Sequence, residues 1–159
     1  LDGSYIMVNL IKYIYKFALS HSNYNIVIRC HPVLNWNQLT KSLPHIALPS
    51  NMMISTNKLD YDLQSTDLCV YCGSSVSVEA LCYQIPVAYY KLNKYFSFDP
   101  LIMLNNFKWC INNKNELIDI INYINSMDDD LYDYNYKIAK KFINEYFVEV
   151  NEDNMNIFC

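Results

Sequence analysis

Glycine is nearly absent, with two residues in 159. That excludes a glycine-rich phosphate loop of the Walker or dinucleotide-binding type, whose backbone needs several glycines to approach a phosphate. The chain also lacks a basic stripe, and its formal net charge is −4. A duplex nucleic-acid binder needs clustered Lys and Arg to neutralise phosphates, so this charge pattern argues against nucleic acid as a partner. No apolar run approaches the roughly 18–20 residues that span a bilayer. The opening LDGSYIMVNLIKYIYKFALSHS is amphipathic and interrupted by Lys12 and Lys16. It lacks the basic start and small-residue cleavage site of a secretory signal, so a cytoplasmic location is expected. The chain starts at Leu1 without a methionine, which fits a piece of a longer protein.

A second CxxC is missing too. Cys69 and Cys72 have CxxC spacing, but residues three apart on a strand point to opposite faces, and a four-ligand metal site needs more donors. The six cysteines, Cys30, Cys69, Cys72, Cys82, Cys110 and Cys159, sit mostly in apolar runs. That is the pattern of reduced, buried thiols.

What remains is a globular composition, 52% hydrophobic, of a length that suits one domain over residues 1–159. Helical spacing marks 4–21, through Ile6, Leu10, Ile14, Phe17 and Ala18, with Asp2 or Ser4 as a cap. Helices are also expected over 35–43, 59–65, 75–84, 114–127, 131–147 and 151–158, with an acidic break at 128–130. Short apolar runs predict strands at 25–30, 51–55, 67–72, 85–90 and 107–112. Strands alternating with helices, and apolar on both faces, read as an α/β fold with a parallel sheet. Such sheets bind ligands beyond the carboxyl ends of their strands, which directs attention to His31-Pro32, Ser55-Thr56, Gly73-Ser74-Ser75 and Tyr90-Lys91.

The Gly-Ser-Ser turn is the most informative of these. Gly73 permits a tight turn, and the helix after it offers unpaired N–H groups and a positive dipole end. Serine hydroxyls add neutral donors, so a phosphate could be held there with little positive charge. The alternative is that Ser74 or Ser75 is simply an N-cap, but one cap needs one serine. Glu79 lies one turn after Ser75 on the same face. Its carboxylate can accept two hydrogen bonds from vicinal sugar hydroxyls, or it can merely complement the helix dipole. His31 ends a strand before a proline and is either structural or a donor to the same anion. Asp60-Tyr61-Asp62 matches an Asp-x-Asp metal motif in spacing but reads as an exposed loop or helix start.

Taken together, IVIRCHP, CGSSVSVEAL and IPVAYYK resemble the carboxyl-terminal half of GT-B fold glycosyltransferases of the capsule and surface-polysaccharide type. Their His-Pro and Ser-Ser motifs are shared with bacterial sialyltransferase and Kdo-transferase families. The opening LDGS and the terminal FINEYFVEVNEDNMNIF extend the resemblance over nearly the whole chain. It implies a Rossmann-like domain in which His31 and Ser74 or Ser75 contact the phosphate of a nucleotide sugar. Glu79 would meet the ribose or the donor sugar, and the base would lie near Ser55 and Thr56. It implies no metal and weakly favours a CMP-sugar donor. The other partners implied are a glycan acceptor and an amino-terminal half, with peripheral association at the inner face of a membrane. The catalytic base would come from that other half, and the first strand of the domain would precede Leu1. Sugar-nucleotide 2-epimerases and polyol-phosphate transferases share the fold, and a non-catalytic nucleotide-binding or interaction domain is the alternative of another class. A phosphoacceptor receiver domain needs an Asp where NMMISTNK offers Ser-Thr-Asn.

Overall fold

A computed structural model describes residues 3–31, 34–43, 47–92, 98–112 and 116–146. In chain order they form α1 (Gly3–Ser20), β1 (Ile26–Ile28), α2 (Trp36–Thr40), β2 (Met52–Ile54), α3 (Leu59–Leu63) and β3 (Cys69–Tyr71). α4 (Val76–Cys82), β4 (Val87–Tyr90), β5 (Lys108–Ile111), α5 (Glu116–Asn125) and α6 (Asp129–Tyr146) follow. The fold is mixed α/β, with short parallel sheets flanked by helices. β1 and β2 pair with Ile26 opposite Met52 and Ile28 opposite Ile54. The second sheet has the order β3-β4-β5, with Cys69 opposite Val87 and Val87 opposite Lys108.

β4 shows why a parallel strand reads as a continuous apolar run. Val87 and Tyr89 join a cluster that includes Val78 and Leu81 of α4 and Ala139 and Ile143 of α6. Ala88 joins Phe17 of α1 and Leu117 and Ile120 of α5 on the opposite face. Helices cover both faces, so Val87, Ala88 and Tyr89 are all buried. β1 and β2 depart from this expectation. Val27 and Met53, opposite each other in register, are 47% and 54% exposed. α1 covers only one face of this pair, through Ile26 and Cys30, and the neighbouring α3 is five residues long.

Both sheets point the same way, and α1 demonstrates it. Its C-terminal end is tied to the residues before β1 and β2, because Asn51 Nδ2 donates to the carbonyls of Ala18, His21 and Tyr24 at 3.0–3.2 Å. Phe17 packs near Ala88, whereas Tyr13, one turn earlier, meets Tyr90 in a tilted ring pair with centroids 5.4 Å apart. Earlier still, Met7, Val8 and Ile11 meet Cys30, Leu34 and Leu39, which follow β1. α1 therefore runs antiparallel to β1 and β4 alike and begins at a carboxyl edge that the two sheets share.

Element ends differ from the expected ones for local reasons. α6 starts at Asp129, inside the expected acidic break. Asp128 Oδ1 accepts from Leu131 N at 2.8 Å, and Asp129 and Asp130 occupy the first turn, where negative charge complements the dipole. α4 ends at Cys82 in a Schellman motif: Ile85 N donates to Ala80 O and Gln84 N to Leu81 O, both at 3.0 Å. The left-handed position, usually glycine, is Gln84 at φ 61°. α2 carries a reciprocal capping box between Asn35 and Gln38. The helix expected over 151–158 and the Asp2 or Ser4 cap lie outside the described residues and side chains.

Candidate functional site

The shared carboxyl edge gathers the ends of β1, β2, β3 and β4. At the end of β3 the chain turns through Gly73, whose φ is 98°. A Cβ there would stand 2.9 Å from Phe98 Cβ and 3.0 Å from the Phe98 carbonyl oxygen. Both the backbone conformation and this close approach require glycine. Phe98 is itself pinned, since its N–H donates to Tyr89 Oη at 3.3 Å. The adjacent Asp99 is buried and accepts from Tyr71 Oη at 2.6 Å, Leu101 N at 2.9 Å and Lys108 Nζ at 2.8 Å. Burial, followed by the hydrogen bond to Asp99, holds the Tyr71 phenol far above its ordinary range. A buried ionic network thus fixes the segment that backs the Gly-Ser-Ser turn.

The two serines do different things. Ser74 Oγ accepts from Val76 N at 3.3 Å, and its carbonyl receives the Ser77 hydroxyl at 2.8 Å. Ser75 is the residue before α4, yet its side chain makes no capping bond and it is exposed. Ser74 therefore serves the helix start, and the Ser75 hydroxyl faces outward. Glu79, half-buried, follows Ser75 by one turn on the exposed side of α4, while Ser77, Val78, Ala80 and Leu81 are buried. Burial and then the Glu79 carboxylate push the Cys82 thiol upward, so Glu79 lies alongside Cys82 on that face.

At the ends of β1 and β2 a second polar group is already engaged. Ser55 N continues the ladder to Ile28 O at 2.8 Å, and Ser55 Oγ donates to Asp62 Oδ2 at 2.6 Å. Asn57 Nδ2 donates to Asp62 Oδ1 at 3.1 Å, and Arg29 Nη1 donates to Asp62 Oδ2 at 2.8 Å. Burial raises the Asp62 carboxyl, but the donors Ser55, Asn57 and Arg29 outweigh it and hold the group below the usual carboxylate range. Asp60-Tyr61-Asp62 is a helix start, one of the two expected forms, with Asp60 and Tyr61 exposed in α3 and Asp62 drawn inward. Asp62 lies in α3 with its side chain 11% exposed, because Arg29 reaches across from the end of β1. Thr56 is exposed beside this network. His31, three residues past β1, is exposed and bridges to Leu34, whose N–H donates to His31 O at 3.0 Å.

The edge thus carries His31, Ser55, Thr56, Ser74 and Ser75, with Glu79 one turn further along α4. The Ser55 hydroxyl is committed to Asp62, and the Ser74 hydroxyl to the start of α4. Asp62, Arg29, Asn57, Asp99 and Lys108 were not singled out as interacting groups from the sequence. Asp99-Pro100 was a usable turn signal, and the Asp99 carboxylate does cap its own turn at Leu101 N.

The cysteines divide by exposure. Cys69 packs against the α4/α6 cluster and Cys72 lies toward the other side, and burial pushes their thiols up to about 12 and about 11. Cys82 and Cys110 are exposed, which corrects the expectation of buried thiols at those positions. Among the described residues no helix is long and apolar enough to cross a membrane. No family model matches the chain, and no curated protein or solved structure matches it.

Proposed function

We infer that this chain is the donor-binding half of a GT-B type glycosyltransferase, holding a nucleotide-activated sugar at the carboxyl edge of its parallel sheets. One observation carries the reading: the Ser75 hydroxyl is exposed at the turn after β3 and makes no capping bond, while Ser74 serves the helix start. A second serine whose hydroxyl does not cap the helix, beside a glycine at a strand end, supports a ligand contact there.

On this reading Ser75 donates to a phosphate oxygen of the donor, with His31 as a second donor from the end of β1. Glu79 accepts from vicinal hydroxyls of the ribose or donor sugar. The base lies by Thr56 and the β2 end, where the Ser55 side chain, held by Asp62, shapes the wall rather than contacting the base. The leaving group of a sugar nucleotide is an anionic phosphate, and donors fixed in advance stabilise that charge as it develops. The glycan acceptor and the general base belong to an amino-terminal half, and a CMP-sugar is the favoured donor class. The reading places the work in the cytoplasm, at the inner face of a membrane.

The test is nucleotide binding by the chain, comparing CMP, CDP, UMP, UDP, GDP and dTDP, followed by Ser75→Ala and His31→Ala. Weaker binding with an unchanged fold in both variants supports the reading. Unfolding of the variants would assign both residues to structure.

A further inference from the structure

Phe98 is a large apolar residue held in the open at the carboxyl edge. It is 56% exposed, yet its backbone is fixed from several directions. Its N–H donates to Tyr89 Oη at 3.3 Å. Its Cβ and carbonyl stand so close to Gly73 that a Cβ on that residue would come within 2.9 and 3.0 Å of them. The next residue, Asp99, is buried and receives Tyr71 of β3 and Lys108 of β5. Single exposed apolar residues are ordinary on a protein surface and most need no explanation. Phe98 differs in its anchoring. A buried ion pair adds little stability over apolar residues of the same volume. Here the pair fixes where one exposed ring sits, and a group fixed in advance binds with little ordering cost.

The order of the strands gives this ring a place relative to a ligand. β1 and β3 line one cavity, through Val27 and Ile28 on one side and Val70 on the other, so they are neighbours across it. Along the carboxyl edge the order is therefore β2, β1, β3, β4 and β5. Thr56 follows β2, His31 follows β1, and the Gly73-Ser74-Ser75 turn follows β3. Phe98 hangs from Tyr89 of β4, so it flanks the turn on the side away from Thr56. A nucleotide with its base by Thr56 and its phosphate on Ser75 directs whatever is bonded beyond that phosphate toward Phe98. In a sugar nucleotide that group is the sugar. A pyranose carries hydroxyls on its rim and C–H bonds on its faces. The negative face of a phenyl ring attracts such C–H groups.

We propose that Phe98 is the platform for the sugar of the bound donor, with a C–H face of the pyranose against its ring. The proposal rests on the donor-binding reading above and adds to it a residue that recognises the sugar rather than the nucleotide. It also gives the Tyr71-Asp99-Lys108 network a purpose at the site, because that network holds Phe98 beside the turn. The close approach at Gly73 then sets the spacing between the phosphate contact and the sugar contact. Removing the ring costs affinity for the sugar alone, whereas removing the Ser75 hydroxyl costs affinity for every phosphate ligand.

Titration calorimetry on the full chain compares matched ligands: CMP with CMP-N-acetylneuraminate, UDP with UDP-glucose and UDP-N-acetylglucosamine, GDP with GDP-mannose, and dTDP with dTDP-glucose. Phe98→Ala keeps the Cβ and carbonyl that meet Gly73, so the turn keeps its packing. It is expected to weaken the nucleotide sugar about fivefold or more, the scale of one aromatic contact, and to leave the bare nucleotide within about twofold. Phe98→Leu, which keeps apolar bulk without a ring, should behave like Phe98→Ala. Phe98→Tyr should bind both ligands as the parent does. Equal weakening of nucleotide and nucleotide sugar would overturn the proposal and assign Phe98 to the base or to support of the turn. Unchanged affinity for both would overturn it too, while nucleotide binding by the parent would leave the donor reading standing. Binding of no nucleotide and no nucleotide sugar by the parent would remove the donor reading and this proposal together.

Discussion

Lys108 Nζ stands 2.8 Å from Asp99 Oδ2, and both side chains are buried, at 8% and 3% exposure. Asp99 also receives Tyr71 and Leu101, and Phe98 beside it presses on Gly73. Removing one partner of a buried pair leaves an uncompensated charge, which costs about 3–5 kcal/mol. Lys108→Met is expected to lose about that much in a urea unfolding titration. A loss of under about 1 kcal/mol would show that the pair is not coupled to the fold as a buried pair is.

Gln84 occupies a position that favours glycine. Its φ of 61° closes the Schellman motif after α4, and its carbonyl accepts from Tyr132 Oη at 2.7 Å. Gln84→Gly removes the Cβ crowding and keeps both backbone bonds. It is expected to stabilise the chain by up to about 1 kcal/mol, less the extra entropy of an unfolded glycine. A rise in the thermal midpoint checks this, and a fall would mean that the Gln84 side chain contributes more than its backbone costs.

Asp62 gives the chain an acid-sensitive joint. Its carboxyl is held below the ordinary value in the folded state, so its contribution is fully present above the unfolded pKa of about 3.9. That contribution disappears as pH falls through the lower folded value. Asp62→Asn is expected to destabilise the chain by on the order of 1–2 kcal/mol at neutral pH. The gap between variant and parent should narrow as pH falls below the unfolded value and through the lower folded one. Unfolding titrations at several pH values read this directly, and a gap independent of pH would refute it.

The shape of the fold was legible because it rests on local patterns. NIVIRC, DLCVYC and IPVAYY each contain a strand, and the 3.6-residue spacing of 4–21 matches α1 to one residue at each end. The expected strand ends run at most two residues long, as short apolar runs continue past their paired residues. The polar joints left no such pattern. Arg29 and Asp62 are 33 residues apart, and Tyr71 and Asp99 are 28 apart. Asn51 serves three carbonyls of the α1 end from the far side of a loop. The Schellman motif went unseen because its marker residue is glutamine. At the site the sequence presented two serines as alternatives for one cap, and only their hydrogen bonds separate Ser74 from Ser75.

Thiol chemistry follows burial. Cys82 and Cys110 are exposed, whereas Cys69 and Cys72 have thiols raised to about 12 and about 11. The thiolate is the reactive form, so iodoacetamide at pH 8 is expected to modify Cys82 and Cys110 well before Cys69 and Cys72. Peptide mass mapping over time distinguishes the two groups. Early labelling of Cys69 would mean that β3 opens readily.

The most direct measurement of the donor-site account is a thermal-shift comparison of the six nucleotides on the parent chain and on Ser75→Ala. A ligand at about 100 times its dissociation constant adds about 2.7 kcal/mol, which at about 2–4 °C per kcal/mol is a shift of several degrees. The account predicts one base class standing out, with CMP foremost. It also predicts that Ser75→Ala keeps the parent's unliganded midpoint while binding weakens by about 1.5–3 kcal/mol, the value of a hydrogen bond to a charged acceptor. No shift with any nucleotide, or an identical shift in the variant, would contradict it.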